Sequence, residues 1–249
     1  MLKYVYVGNV RIPSYGMMIV IGVVFCNLIA QHILRKDSKL YKEFLIMEAF
    51  GGAGAIFGAK ILSLMKNIMN GQNNVFSIET FRSAGYSYYG GLAGCLIVTY
   101  LLCKLTKYDG QQLSKKIIFL IPLLHSFWKI GCFMGGCCYG VPYNGPFSIC
   151  YPEGINKLSG ISVFPAPLLE AVIALVIAIV LLILNKQQCS YEPIGTYLIL
   201  YGVSRFFLEF TRYHENKSYL SDSQLYSIIF TVLGLIIIIR NHRRSKDYE

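Results

Sequence analysis

Charged residues are scarce in this 249-residue chain. Asp, Glu, Lys and Arg together make up 14% of the residues, whereas 55% are hydrophobic, and the mean hydropathy is +0.50. A soluble fold of this size could not cover so much apolar surface with so few charges. The scarcity therefore excludes an ordinary soluble protein and indicates lipid as the solvent for most of the chain.

Acidic residues are the scarcer of the two charged classes. The chain has 13 of them against 23 basic residues, which gives a formal net charge of +10. A basic protein can bind nucleic acid, but no basic run here is interleaved with aromatic residues on a soluble module. The charge is better explained by basic loops that face anionic lipid headgroups. We therefore predict no nucleic-acid partner.

Long apolar stretches recur along the whole chain. Each is about 17 to 22 residues long, which is enough for a helix to cross the hydrocarbon core of a bilayer. The first is too long for a signal peptide and lacks a small-residue cleavage site after it. We predict an all-α integral membrane protein, a bundle of about seven transmembrane helices in a single membrane domain over 1–249. The predicted spans are 12–31, 44–65, 88–106, 117–133, 166–185, 194–211 and 224–240.

Basic residues concentrate in three of the segments that flank these spans. They are Arg35, Lys36, Lys39 and Lys42 after the first span, Lys104, Lys107, Lys115 and Lys116 after the third, and Arg240, Arg243, Arg244 and Lys246 in the tail. The positive-inside rule then places the N-terminus outside and the C-terminus, with its tail at 240–249, in the cytoplasm. The largest exported loop is predicted at 134–165.

Ionisable side chains inside the spans are costly, so each is a candidate for function. They are Glu48, Lys60, His125, Lys129, Glu170, Arg205 and Glu209. Most of them fall in the outer half of the bilayer under the predicted topology, as do three tyrosines, Tyr15, Tyr89 and Tyr201. This one-sided arrangement predicts a cavity that opens towards the exported face or the outer leaflet.

Several of these residues also have a structural explanation. Lys60 can extend towards the headgroups, and Glu170 can anchor the start of its helix. Arg205 and Glu209 are four residues apart on one helical face and can form a structural ion pair. We favour a functional role for that pair, because an ion pair inside a membrane usually lines a polar cavity.

Four cysteines, Cys132, Cys137, Cys138 and Cys150, fall in or near the predicted exported loop, where disulfides are permitted. Their spacing fits no standard zinc pattern, so we predict no metal site. A disulfide between Cys150 and either Cys137 or Cys138 is the alternative interpretation. The other four cysteines, Cys26, Cys95, Cys103 and Cys189, are interpreted as small apolar residues.

Between about Ile12 and Leu235 the chain resembles the prolipoprotein diacylglyceryl transferases of bacterial plasma membranes. The strongest segment is 195–212, in which Tyr201, Arg205 and Glu209 match three residues that face the active cavity from the family's sixth helix. Shorter matches follow in the family's order. They are Ser14–Gly16, Gly58–Leu62, Tyr89–Gly94, the signature segment Lys129–Gly140, and Phe164–Glu170.

The chain departs from the family pattern at five positions. Tyr89 replaces a His, and Lys60 replaces an Arg. In the signature segment, Lys129 replaces an Arg, Cys132 an Asn and Cys137 a Glu. Two guanidinium groups have thus become ammonium groups, which keep the charge but lose the planar, bidentate grip on phosphate.

The resemblance implies transfer of the diacylglyceryl group from phosphatidylglycerol to the lipobox cysteine in the signal peptide of an exported preprolipoprotein. It implies a thioether product, membrane lipids as surroundings, no cofactor, and a multi-pass location in the bacterial plasma membrane. One alternative is a diverged paralogue that transfers a lipid or headgroup to another acceptor. The other is a non-enzymatic membrane binding protein, which would need a polar path to both faces.

The same resemblance implies roles for individual residues. The catalytic set is Arg205, Glu209, Lys129, His125 and Tyr89. The substrate-binding set is Tyr15, Lys60, Gly90, Gly91, Gly140, Glu170 and Tyr201. In this scheme Arg205 holds the phosphate and Glu209 orients Arg205, while the backbone amides of Gly90 and Gly91 bind oxygens of the lipid headgroup. A tyrosine is a poor base at neutral pH, so His125 is the substitute candidate, and its alternative role is a hydrogen bond to a helix carbonyl.

Overall fold

The computed structural model describes residues 4–8, 10–69, 85, 87–106, 108, 110–186, 191–214 and 220–246. Within these ranges the chain is dominated by helices. They are α1 (Ser14–Leu34), α2 (Ser38–Met69), α3 (Tyr88–Thr106), α4 (Gly110–Ile117), α5 (Leu120–Gly135), α6 (Ala166–Lys186), α7 (Pro193–Leu208) with a 3-10 turn (Glu209–Thr211), and α8 (Asp222–Lys246). The strands are β1 (Tyr4–Val7), β2 (Val10–Pro13), β3 (Ile149–Cys150) and β4 (Ser162–Val163), which form two antiparallel hairpins.

Each of the seven predicted spans overlaps a helix, and the protein is a mostly helical membrane protein. In the part of the chain that the structure describes, four helices are long and apolar enough to cross a membrane: α1, α2, α6 and α8. A fifth span is obtained if α4 and α5, which meet at a bend of 54°, count as one. The number of seven membrane spans and the orientation of the chain in the membrane remain predictions.

The described chain falls into two compact units, Met1–His32 with Ser114–Glu249, and Ile33–Leu113. In the second unit, α2 packs on α3 through small residues. A Cβ at Gly58 would collide with the carbonyl oxygen of Gly90, and a Cβ at Gly94 would collide with that of Gly54. Small residues of this kind let two membrane helices approach closely. This division does not test the prediction of a single membrane domain.

In the first unit, α7 and α8 form a second close pair. The pair meets at Gly195 and Gly234, where a Cβ on either glycine would collide with the other's carbonyl oxygen, and at Gly202, which lies against the Ser227 carbonyl. The start of α1 packs on α5, because the backbone of Tyr15 lies against Gly131. The first unit thus contains α1, α5 and α7, and α6 packs beside α5. This unit carries most of the predicted site residues.

Residues 136–165, in the predicted exported loop, are folded against the helix ends. The Gly140 amide donates to the Phe164 carbonyl, the Val141 amide donates to the Thr211 carbonyl, and Gly140 forms an isolated bridge with Arg212. Within this segment, Tyr151 is fully buried. The loop therefore fixes the segment that follows α7, where the functional side chains converge.

Two ionic clusters form the candidate site

The first cluster surrounds the carboxylate of Glu209. This residue starts the 3-10 turn after α7, so its side chain lies one turn beyond Arg205 on the same helical face. The Arg205 Nη2 atom is 2.6 Å from Glu209 Oε2, and both side chains are buried, at 9% and 3% exposure. A separation of four residues on a helix is the spacing at which two such side chains meet. The predicted ion pair is therefore present.

Further polar groups from outside α7 complete this cluster. His214 Nε2 lies 3.1 Å from Glu209 Oε1, and Arg212 Nη1 lies 4.0 Å from Oε2. The Ser221 hydroxyl donates to Glu209 Oε1 at 2.7 Å, and Arg205 Nη2 donates to the Ser223 hydroxyl at 3.1 Å. None of these four residues is among the site residues predicted from the sequence.

The charge of the Glu209 cluster is unbalanced. One carboxylate faces two guanidinium groups, so the cluster carries a net positive charge. Arg205 Nη1 is buried and has no hydrogen-bond partner among the described residues. A buried donor without a partner is costly, and an anionic oxygen would satisfy it. The arrangement can therefore bind an anion such as a phosphate.

The second cluster surrounds Glu170, in the first turns of α6. Lys129 Nζ lies 2.9 Å from Glu170 Oε1, and His125 Nε2 lies 3.4 Å from the same oxygen. Lys129 and His125 are one turn apart on α5, as the sequence predicted. Glu170 is 4% exposed, so it serves as the buried partner of two α5 side chains and does more than anchor its helix.

Aromatic contacts link the two clusters. The rings of His125 and Tyr201 are 5.5 Å apart, and Tyr201 lies on α7 one turn before Arg205. Tyr15, at the start of α1, makes an edge contact with Trp128, with ring centroids 6.1 Å apart. Seven of the predicted site residues therefore lie close together around α5 and α7. They are Tyr15, His125, Lys129, Glu170, Tyr201, Arg205 and Glu209.

Arg212 connects the two carboxylates electrostatically. Burial lowers its pKa, but the negative charges of the nearby Cys138 thiolate and of the Glu170 and Glu209 carboxylates outweigh burial, so the pKa is raised overall. Arg212 is therefore a permanent cation beside both clusters. Its spacing of three residues from Glu209 is the sequence signal by which it could have been found.

Three thiols lie beside the same region. The Sγ atoms of Cys132, Cys137 and Cys138 are all within 4.8 Å of one another. Hydrogen bonds with Cys132 and Cys137 lower the pKa of the Cys138 thiol, and the Arg212 and Lys129 cations lower it further, against the opposing effect of burial. These cysteines and Cys150 carry free thiols in this structure. Cys189 lies outside the described residues.

The other predicted residues have different surroundings. Gly140 is required for close packing, because a Cβ there would collide with the carbonyl oxygens of Phe164 and Thr211. Lys60 belongs to the second unit and is only 5% exposed, which disagrees with a side chain extended towards headgroups.

The glycine pair at the start of α3 also belongs to the second unit. The Gly91 amide donates to the Ser87 carbonyl. The amide that was predicted to bind a headgroup oxygen therefore already has a hydrogen-bond partner. Gly90 lies in close contact with Gly58. The side chain of Tyr89 lies outside the described residues. The roles of Lys60, Gly90 and Tyr89 stay predictions.

Comparison with known proteins decides the family. The model of the prolipoprotein diacylglyceryl transferase family matches residues 3–240. This chain belongs to that family. Among family members, a phosphatidylglycerol–prolipoprotein diacylglyceryl transferase of Clostridium tetani (strain Massachusetts / E88) is 28% identical over 232 residues, covering 92% of this chain and 93% of the relative.

Other relatives carry the same name. A phosphatidylglycerol–prolipoprotein diacylglyceryl transferase 2 of Clostridium perfringens (strain 13 / Type A) is 27% identical over 237 residues, with 92% of this chain and 91% of the relative covered. A Staphylococcus haemolyticus (strain JCSC1435) relative is 29% identical over 250 residues, with 96% and 87% covered. The resemblance inferred from the motifs is confirmed, and the match extends over nearly the whole chain.

Proposed function

We propose that this chain transfers the diacylglyceryl group of phosphatidylglycerol to the thiol of the lipobox cysteine in an exported preprolipoprotein. One observation carries the proposal within the structure. Buried Arg205 is oriented by Glu209 and has an Nη1 donor without a hydrogen-bond partner among the described residues, in a cluster with excess positive charge. The names of the full-length relatives supply the reaction.

The proposed setting is the bacterial plasma membrane, crossed seven times with the N-terminus outside. The positions of the helices and of the basic loops support it. In that orientation the Arg205–Glu209 and Lys129–Glu170 pairs lie in the outer half of the bilayer. Lipid headgroups and the membrane-anchored signal peptide then reach the site from one side.

The reaction forms a carbon–sulfur bond and breaks a carbon–oxygen bond. The lipobox thiolate attacks the glyceryl carbon that carries the phosphate ester, and glycerol phosphate leaves with the bonding electrons. Negative charge grows on the departing phosphate oxygens, where a guanidinium donor is most effective. Arg205 stabilises this charge, and Arg212 adds positive potential from the same cluster.

A base must take the proton of the attacking thiol, because the thiolate is the nucleophile. His125 is the proposed base. Its Nε2 atom is within 3.4 Å of Glu170, whose carboxylate fixes the ring and stabilises the imidazolium once the proton has been transferred. Lys129 shares the same carboxylate and adds a cation beside the base. Tyr15 and Tyr201 are proposed to contact the headgroup.

The proposal is tested by complementation. The chain is expressed in a bacterium depleted of its own diacylglyceryl transferase, and growth is followed with the mobility shift of a major lipoprotein. The unaltered chain is expected to restore both, and Arg205→Ala is expected to restore neither while it still accumulates in the membrane. Arg243→Ala, at an exposed position in α8, is the matched control and should behave like the unaltered chain. Lipidation by Arg205→Ala at the unaltered level would sink the scheme.

A second candidate is a paralogue of the same fold with another acceptor. The changes at Lys129, Cys132 and Cys137, within the family signature, favour it. It predicts membrane expression without lipidation of the host lipoprotein. Arg205 would still bind the lipid phosphate in that case, so the two candidates differ in the acceptor and share the lipid donor.

A further inference from the structure

The segment after α5 reverses direction sharply and so gathers three thiols. Gly136 adopts a left-handed conformation at φ 72°, and its amide donates to the carbonyls of Cys132 and Phe133. Cys138 is also left-handed, at φ 58°. Such a conformation is uncommon for a residue other than glycine. Together the two turns fold Cys137 and Cys138 back over Cys132.

The loop is held in this shape by contacts outside the cysteines. The Cys137 amide donates to the Cys132 carbonyl at 3.0 Å, and the side-chain amide of Asn156 donates to the Gly136 carbonyl at 3.2 Å. A Cβ at Gly136 would collide with Ile155. The three thiols are therefore positioned by the fold and need little rearrangement to act together.

We propose that Cys132, Cys137 and Cys138 bind one soft metal ion of the Zn²⁺ class through their three thiolates. The Sγ atoms are all within 4.8 Å of one another. A tetrahedral ion with bonds of about 2.3 Å to sulfur needs separations of about 3.8 Å between its sulfur ligands. The cluster is close to that spacing before any ion is bound. Sulfur ligands select thiophilic ions such as Zn²⁺ over Mg²⁺ or Ca²⁺.

The charges around the cluster suit an anionic complex. Each thiol releases a proton on binding, so three thiolates and one Zn²⁺ carry a net charge of −1. The Arg212 and Lys129 cations both lie close enough to interact with Cys138. No His, Asp, Glu or further Cys among the described residues joins the three. The fourth position of the ion is thus left to solvent, as in zinc sites with three protein ligands.

Accessibility supports the same assignment. Cys132 is buried, Cys138 is half-buried and Cys137 is exposed. An ion can therefore approach from the side of Cys137, with buried Cys132 as the innermost ligand. None of these three residues takes part in the proposed transfer reaction, so the metal site stands independently of it.

Cd²⁺ binding to the purified full chain tests the proposal. The protein is stripped of metal, fully reduced and kept anaerobic in neutral detergent, and the sulfur-to-cadmium charge-transfer absorption is titrated. One Cd²⁺ per chain is expected, with displacement by Zn²⁺. Cys132→Ser should weaken binding by more than the roughly 10–100-fold that loss of an outer-shell partner costs. Cys150→Ser, the matched control, should bind like the unaltered chain.

A second measurement needs no variant. In the unaltered chain, Zn²⁺ should protect Cys137 and Cys138 from alkylation, while exposed Cys150 reacts at the same rate with and without the ion. Three results would overturn the site: no charge-transfer band from the fully reduced chain, equal affinity in Cys132→Ser, or unprotected Cys137. A disulfide between two of the three cysteines in freshly isolated protein would overturn it as well.

Discussion

Loss of the Glu209 carboxylate should destabilise the protein more than loss of a surface carboxylate. In Glu209→Gln the amide keeps the side-chain shape and an acceptor for Ser221, but it removes the carboxylate that forms the ion pair with Arg205. The Arg205 and Arg212 guanidinium groups, at 2.6 and 4.0 Å from Glu209, are then left facing each other across a neutral group.

The size of the effect follows from burial. A unit charge pair at 4 Å is worth about 4 kcal/mol at an effective dielectric constant of 20. Breaking a buried ion pair by removing one partner costs about 3–5 kcal/mol, and Glu209 is only 3% exposed. We therefore expect the free energy of unfolding to fall by about 3–5 kcal/mol. Glu153→Gln, at an exposed loop position, is the matched control and should stay within about 0.5 kcal/mol.

The assay is unfolding in neutral detergent by titration with urea, which carries no charge that could replace the carboxylate. Trp128 is the single tryptophan of the chain and lies on α5, next to Lys129, so its fluorescence reports on this unit. Omitting anionic lipid prevents a phosphate from replacing the lost carboxylate. The double variant Arg205→Gln with Glu209→Gln removes both charges, and the coupling energy should be about 1–3 kcal/mol.

Two results would refute this reasoning. One is a loss in Glu209→Gln no larger than in Glu153→Gln. The other is strict additivity in the double variant, which would mean that the pair does not interact in the folded protein. Either result would remove the basis for treating Glu209 as the group that orients Arg205.

Variants at three further positions test other contacts. Lys129→Arg should retain lipidation in the complementation assay, because it keeps the cation beside Glu170, whereas Lys129→Met should lose it. His125→Gln should lower kcat of the purified enzyme by roughly 100-fold or more if His125 is the general base, with little change in KM; an unchanged kcat would assign the thiol proton to another group. Gly58→Ala should destabilise the α2–α3 pair by about 1–3 kcal/mol in thermal unfolding, because its Cβ would collide with the Gly90 carbonyl. Gly52→Ala is the control, since a Cβ there meets nothing within 4 Å, and equal melting temperatures of the two would contradict the packing.

The helices could be predicted from the sequence because a long apolar stretch is a strong signal of a membrane helix. The third predicted span, 88–106, has the same bounds as α3 (Tyr88–Thr106). The fourth was predicted at 117–133, whereas the structure has two helices there, α4 and α5, that meet at a bend of 54°. Hydropathy carries no information on the direction of successive helices, so the bend could not be seen. The hairpin of β1 and β2 was also missed, because its strands are four residues each.

The site was predictable where its residues share one helix. Spacing alone indicated the pairs Arg205–Glu209 and His125–Lys129. The contact of Lys129 with Glu170 joins two helices and depends on how α5 packs on α6, which periodicity does not specify. The resemblance to the family named Lys129 and Glu170 separately without showing that they form an ion pair.

The thiol cluster shows a different limit of sequence analysis. The spacing of Cys132, Cys137 and Cys138 matches no standard zinc pattern, so their positions predicted cysteines near one exported loop and no metal site. Their proximity follows from left-handed conformations at Gly136 and Cys138. A glycine is the usual residue for such a turn, but a cysteine at φ 58° is not indicated by any composition rule.

The most direct test of the central claim is product formation by the purified chain. The full chain in detergent is mixed with phosphatidylglycerol and a peptide that carries a lipobox cysteine, and released glycerol phosphate is measured beside the thioether peptide. We predict equal amounts of the two products from the unaltered chain, and neither product from Arg205→Ala or from a peptide with Ser in place of the cysteine. Glycerol phosphate released without the cysteine peptide, or no product from the well-folded unaltered chain, would contradict the account.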